Sequence, residues 1–300
     1  MALRADAMSG PSRLRRLRGF VLAELLVALV IAAIIGAALT QLVVSQSRFA
    51  ALEGGIIQAR GGARAALNVM ATDFRMVSDS GLVAAAHDSV TVRVPYAFGV
   101  ACGQVSGNVT VSLLPADSAS YFSASATASG YAWRDTTGKM VFVQPAAVSS
   151  SSTGNCTNTA ITNPAITTLT APGWTATAVA VPNDTRRTPP GPPQGSEVYL
   201  YQLVRYAFAP SGQLPGRIGL WRTLLSTGER DELVTPFDTS ASFQFLVGSR
   251  LTPLTAPPAV LDSIHGLRLV LVAASETAPE GRTQPETFTI TTNVVFQNHP

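Results

Sequence analysis

From Phe20 to Leu39 every residue is apolar, alanine or glycine except Glu24. Twenty such residues match the ~20 that a helix needs to cross a ~30 Å hydrocarbon core, so this run sets one element before any other is considered. A carboxylate inside a spanning helix costs on the order of 2.5–3.5 kcal/mol at its centre and less toward an end, and it normally marks a place where a partner is met. No Lys, Arg or His follows Glu24 until Arg48, too far along the helix to reach back. The cation that Glu24 calls for has to come from elsewhere.

The residues ahead of the run offer one. Arg13, Arg15, Arg16 and Arg18 precede Gly19. An ordinary secretory signal is cut after its apolar stretch and leaves the product without it. A cut between Gly19 and Phe20 would instead keep the apolar segment on the product and create a free α-amine at Phe20, four residues from Glu24. That amine, or the same amine of a neighbouring subunit shifted along an assembly axis, would neutralise the carboxylate.

The stretch R-x-R-G-F-x-x-x-E-L-L-V-A-L, from Arg16 to Leu29, resembles the class III leader and N-terminal helix of type IV prepilins and type II secretion pseudopilins. The resemblance implies that a prepilin peptidase in the membrane cuts after Gly19 and N-methylates Phe20, and that Glu24 is the assembly charge that pairs with the amine of an adjacent subunit. It also implies a localisation: an inner-membrane, single-pass protein with its head in the periplasm, later part of a pilus or pseudopilus. A plain signal anchor with an incidental glutamate is the alternative.

Charge fits this division. Residues 1–19 hold five arginines and one aspartate, so the formal +3 of the chain becomes about −1 once they are set aside. The arginines read as the positive-inside signal that keeps the leader cytoplasmic. A basic nucleic-acid groove has no support from the remaining charge, and no nucleic acid is expected as a partner. The two cysteines, Cys102 and Cys156, fall beyond the membrane, where an oxidising compartment favours a disulfide between them. Closing that loop would stabilise the fold by about 4 kcal/mol as an upper guide. Metal binding is the rival reading, but no histidine is close in sequence to either thiol.

Helical periodicity continues past the apolar run. Phe49, Leu52, Ile56, Ala59, Ala63, Leu67, Met70, Phe74 and Val77 recur three or four apart, one apolar stripe on a helix reaching about Ser78. Such a helix is near 87 Å long at about 1.5 Å per residue, too long to lie inside one small domain. Its first half is therefore expected to be packed by lipid or other subunits, and only its second half by its own head. Gly54-Gly55 and Gly61-Gly62 interrupt it, each glycine costing about 1 kcal/mol relative to alanine. Two readings stand: a weak, bent helix, or a segment that melts locally or lets neighbouring helices approach. The stretch Ala63 to Val77 resembles the same region of PilW-like minor pilins, and Arg64, Asp73 and Arg75 are expected to be structural there.

After Gly81 the period becomes two. V-T-V-R-V (Val90 to Val94) and N-V-T-V-S-L (Asn108 to Leu113) read as strands. Residues from about 116 to 196 are rich in Ser, Thr, Ala, Pro and Gly and read as an insertion, with only M-V-F-V (Met140 to Val143) and T-A-T-A-V-A-V (Thr175 to Val181) strand-like. Strand patterns return between Glu197 and Phe296, joined by short turns, which argues for a mainly antiparallel sheet. The order resembles the PilW-like head, although members of that family often end on Arg-Asn where this chain has Gln297-Asn298.

No catalytic constellation emerges, and no cofactor is expected. His87, His265 and His299 lack metal-ligand spacing, and neither a G-x-S-x-G elbow nor a phosphate loop is present. The single lysine, Lys139, sits in a turn-like T-T-G-K-M. The cluster Glu229 to Glu232 has carboxylates that calcium takes, but Arg230 stands among them, and a solvated turn is the better reading. Tyr199, Tyr201, Tyr206, Phe208 and Trp221 fall at strand spacing and read as core or cross-strand pairs rather than a ligand platform.

The sequence thus leads to an α+β, pilin-like chain: a long N-terminal helix with a membrane-spanning first half, packed on a mainly antiparallel β-sheet head. Its expected divisions are a cleaved leader (1–19), a transmembrane and assembly helix (20–44), an amphipathic continuation (45–80) and a β-rich head (81–300) with the insertion at about 116–196. The function expected is that of a non-enzymatic minor pilin-like subunit, incorporated into or priming a type IV pilus. Its partners would be the prepilin peptidase, other pilins met through the helix, and the inner membrane. A J-type pseudopilin of a type II secretion system is the alternative; the length and the polar insertion favour the pilus. A membrane-anchored adhesin or binding module is the reading from a second class, and it would need convergent polar residues in a concave pocket of the head.

Overall fold

The computed structural model describes residues 22–78, 80–105, 108–113, 117, 128–143, 149–151, 178–182, 191–279 and 282–296. One helix, α1, spans Leu22–Met76. No proline occurs between Pro11 and Pro95 to break it. It ends in a turn where the Gly81 N–H donates to the Ser78 carbonyl and Ser80 takes φ 62°, and Arg75 lies in its last turn, where a cation complements the helix dipole. The chain divides into two compact units, residues 1–51 and 52–300.

Within residues 1–51, α1 from Leu22 to Ala51 is exposed throughout, the large apolar side chains included. Among the described residues it is the helix long and apolar enough to cross a membrane.

Within residues 52–300 the chain is α+β. Fourteen strands are described, and every pairing between them is antiparallel. The first seven are β1 (Leu82–Ala86), β2 (Ser89–Val105), β3 (Asn108–Leu113), β4 (Gly130–Arg134), β5 (Met140–Val143), β6 (Ser149–Ser151) and β7 (Ala178–Pro182). The rest are β8 (Glu197–Pro210), β9 (Ile218–Leu224), β10 (Arg230–Phe237), β11 (Ser242–Val247), β12 (Thr252–Leu254), β13 (Ile264–Ala274) and β14 (Thr287–Val295). Their spatial order is β12-β11-β13-β10-β9-β8-β2-β3-β7-β6; β14 joins β13, β1 joins β2, and β4 joins β8 and carries β5.

The stripe of α1 that meets the sheet is Ala59, Ala63, Ala66, Met70 and Phe74, continued by Val77 just beyond the helix. Small residues in its first half bring the helix backbone close to the strands, and Phe74 fills the space at the far end. The Phe74 ring stands edge-on to Tyr206 and Phe243, with centroids 5.2 and 6.4 Å away. Opposite lie Leu267, Leu269 and Leu271 of β13, all fully buried by the period-two alternation of that strand. The expected stripe is therefore correct from Ala59 onward and too long at its start: Phe49 is 67% exposed and Ile56 38%. Of the two glycine pairs, Gly55 and Gly62 face the strands. A Cβ added at Gly55 would meet Ser275 at 3.2 Å and one at Gly62 would meet Val234 at 3.4 Å, whereas Gly54 and Gly61 face open space. The second glycine of each pair thus serves close packing of helix on sheet.

A second core forms at the other end of the long strands β2 and β8. Tyr131 and Trp133 of β4 stack with centroids 5.6 Å apart and are buried with Val141 and Val143 of β5 against Val198 and Leu200. The β2–β8 register slips between Pro95↔Tyr201 and Ala97↔Leu200, so Tyr96 is bulged, and β2 carries a proline without losing the ladder. Not all of 116–196 is loop in character. β5 and β7 match the strands read from sequence, while G-Y-A-W-R (β4) is a buried strand that the polar composition around it concealed.

Candidate functional site

Glu24 lies on the exposed surface of α1, in a shallow open patch formed with Ala23, Val27, Ala28 and Ile31. Those positions recur three or four apart, so the carboxylate stands on an apolar face whose two alanines leave room beside it. The sequence placed Glu24 in such a run, and it is the one charged residue described before Arg48. Gly19 and Phe20, the expected cleavage and methylation sites, lie outside the described residues. So does Cys156; Cys102 is buried in β2, at 2% exposure.

On residues 52–300, Asp73 is where sequence and structure meet most closely. The Tyr206 hydroxyl donates to its Oδ2 at 2.5 Å, and Arg222 Nε lies 3.3 Å from that hydroxyl and 3.6 Å from the carboxylate. Burial, and then the neighbouring Asp73 carboxylate, push Tyr206 well above the usual phenol range. This triad locks the last turns of α1 to β8 and β9, in keeping with the structural role expected for Asp73. Sequence reading missed Tyr206 and Arg222 as its partners. The only signal was a tyrosine at an inward strand position, whose hydroxyl needs a partner once buried. Arg64 and Arg75 do not join the triad; both are exposed.

The acidic cluster is solvated as expected at Glu229, Arg230 and Asp231, all exposed, but it is a turn only up to Glu229. Arg230, Asp231 and Glu232 open β10, paired with Thr223, Arg222 and Trp221 of β9. The Arg230 guanidinium lies 4.0 Å over the Trp221 ring, and Glu232 Oε2 accepts from the backbone N–H groups of Gly212 and Gln213 at 2.9 and 3.3 Å. From Arg230 the cluster is a strand start, and Glu232 fastens it to a neighbouring loop. Lys139 is in a turn, as read, where Asp135 Oδ1 accepts from the N–H groups of Thr137 and Lys139 at 2.9 Å each. Those bonds, with the Thr137 hydroxyl first among them, hold the Asp135 carboxyl below its ordinary range. His87 is exposed, and His299 lies outside the described residues. Among the described residues, no three His, Cys, Asp or Glu side chains converge as a metal would require.

The aromatics read as core or cross-strand pairs take such places. Tyr199 meets Phe98 edge-on at 5.1 Å, Tyr201 meets Phe142 at 5.6 Å, and Phe208 contacts Phe237 and Phe243 at 5.3 and 5.2 Å. Beside them is a cleft of 630 Å³ lined by Met76, Phe98, Met140, Phe142 and Tyr199, with Arg134 and Glu197 as its charges. The Tyr199 hydroxyl donates to Glu197 at 2.6 Å. Burial first, and then that carboxylate, raise the tyrosine above its ordinary value. Comparison with family models, curated proteins and solved structures finds nothing that matches this chain.

Proposed function

We propose that this chain is a minor pilin-like structural subunit, non-enzymatic, cleaved between Gly19 and Phe20, methylated at Phe20 and held in the inner membrane by the first half of α1 before it enters a type IV pilus. One observation carries the reading. From Leu22 to Leu39 α1 is apolar on every side and exposed, with a single carboxylate, Glu24, while the second half of the same helix buries one stripe in a β-sheet head. Apolar surface of that extent needs a solvent or a partner. One helix can use lipid first and the helices of other subunits afterwards. In the second setting Glu24 meets an α-amine; in the first it is the costly residue. Cys102 and Cys156 pair in the periplasmic head.

The test has two parts. In cells that contain the peptidase, the mature chain should begin at methylated Phe20, and a bulky residue at Gly19 should block maturation; a chain that starts elsewhere ends the prepilin reading. Glu24→Gln should still insert and be cleaved, because neutralising the side chain eases insertion. It should then fail to crosslink to neighbouring pilins, since the partner amine loses its counter-ion in an apolar setting. Assembly at the parental level would show that Glu24 is not an assembly charge. The same crosslinks separate pilus from secretion pseudopilus by the subunits captured.

A further inference from the structure

The strands with a single described partner are not alike. β1, β5, β6 and β12 run three to five residues, and β12 contains Pro253. β14 runs nine residues, T-F-T-I-T-T-N-V-V, and pairs with β13 without a slip from Gly266↔Val295 to Ala274↔Thr287. Among the described residues no strand pairs with its other side. Proteins normally blunt such an edge by shortness, proline, lysine or a bulge, because its unpaired N–H and C=O groups accept any extended chain. β14 has none of these devices, and its Thr, Ile, Phe and Val residues are the types that favour strands.

A second, independent feature lies beside it. The Arg60 guanidinium sits 4.9 Å over the Phe288 ring, and Leu67, Asn68, Ala71, Thr72 and Arg75 form a groove with Thr292, Asn293 and Val294. Helix α1 therefore runs alongside β14. At 3.6 residues per turn, Arg60, Arg64 and Arg75 fall within an arc of about 60°, the side of the helix that borders this edge. All three are exposed, and neither Arg64 nor Arg75 has an ion pair among the described residues. Two acids border the row at one end. Glu53 lies seven residues before Arg60 on the helix, and Glu286, just ahead of β14, is taken by Arg282 at 2.5 Å.

We propose that β14 is the acceptor edge for an extended, acidic segment of a partner protein, which adds to the sheet as a further strand and lays its carboxylates along Arg60, Arg64 and Arg75. Backbone bonds to the edge would supply affinity, and the arginine row would select the sequence. One pair matches in spacing: Arg60 and Arg64 are about 6 Å apart along the helix axis, close to the ~6.6 Å between same-face residues of a strand, while Arg75 stands about 16 Å farther on, between two and three such repeats. A second copy of β14 fits worse, because the strand itself carries no acid and the copy sets another row of arginines against the first, with only Glu53 and the Arg282-bound Glu286 beside them.

The probe is a labelled nonapeptide alternating glutamate with valine or threonine, titrated by fluorescence anisotropy into the full-length chain in neutral detergent micelles. It should bind at low salt, and the same peptide with lysine for glutamate should bind at least tenfold more weakly. Arg64→Glu with Arg75→Glu should reverse that preference. Both variants replace exposed helix residues and leave the core untouched. Two N-methylated versions of the acidic peptide, blocked at odd or at even positions, should differ at least tenfold, because only one set of N–H groups faces the edge. Equal binding of the two, an unchanged preference in the charge-reversed protein, or failure of the acidic peptide to bind would each overturn the proposal. So would self-association of the full chain that β14 mediates and the peptide does not displace.

Discussion

The two halves of α1 both carry apolar side chains, and those side chains meet opposite fates. In Leu22–Ala51 the bulky side chains are outside: Leu29 is 63% exposed, Ile34 65% and Val43 63%. In Leu52–Met76 the buried stripe is mostly alanine, with Met70 and Phe74 as its only large members in the helix. A helix that packs on its own sheet needs one stripe and a close approach, which small residues and the inward glycines Gly55 and Gly62 supply. A helix that is apolar all round has no use for its far side within one small head. The difference shows that hydrophobicity alone does not mark the core of this chain. Periodicity does, and the surplus apolar surface belongs to surroundings outside the fold.

The sharpest way to break this contrast is to cut a large side chain from the buried half. Phe74→Ala removes a fully buried ring that meets both Tyr206 of β8 and Phe243 of β11. The expected loss is about 3–5 kcal/mol of head stability. Denaturant unfolding of the full chain in micelles, followed through near-ultraviolet signals of the head, measures it. A loss under about 1 kcal/mol would mean that the second half of α1 is not part of the core.

A smaller effect tests the polar lock beside that ring. Asp73→Ala leaves the Tyr206 hydroxyl and Arg222 without their acceptor, at a cost of about 1–3 kcal/mol. The same lock sets a pH dependence. Tyr206 has its folded pKa raised, while in the unfolded chain it ionises near pH 10. Below that pH the contribution is fully present. Above it the unfolded chain gives up a proton that the native chain keeps, so stability falls as pH rises. The parent should therefore weaken above about pH 10 more steeply than Tyr206→Phe. Tyr201, raised chiefly by burial, leaves part of the slope in both. Identical slopes would remove Tyr206 from the account.

How much of this could be read in advance follows from how local each signal is. The three-and-four spacing of Ala59, Ala63, Met70, Phe74 and Val77 lies within a few helical turns, and it predicted the buried stripe. Extending that stripe back to Phe49 failed because apolar spacing records what can be buried and says nothing of what is there to bury it. Strand β2 was legible only as V-T-V-R-V; it runs on through Pro95, and the bulge at Tyr96 that accommodates the proline is set by its partner β8. β10 was hidden by its charged start, which the strand tolerates because its pairing with β13 is described only at Phe237↔Ala273. The Asp73–Tyr206 bond spans 133 residues and has no sequence period at all. Glu24 stood out for the opposite reason, as one charge in an uninterrupted apolar run.

The smallest expected effect is the most informative about the first half of the helix. Ile34→Ala deletes a side chain as apolar as those of the core, yet 65% exposed and without a buried neighbour in its own unit. Truncation in a packed core costs about 2–5 kcal/mol, because it loses both the transfer of the methylenes and the contacts around the cavity. At Ile34 the folded head has neither to lose. Unfolding of the head should be unchanged within about 0.5 kcal/mol, the range of ordinary surface substitutions. The effect should appear only where the apolar surface is covered, as a few tenths of a kcal/mol in membrane insertion, and as weaker helix-to-helix crosslinking where subunits assemble. A head destabilised by more than 1 kcal/mol would show that Ile34 packs against its own chain, and the two halves of α1 would then share one role.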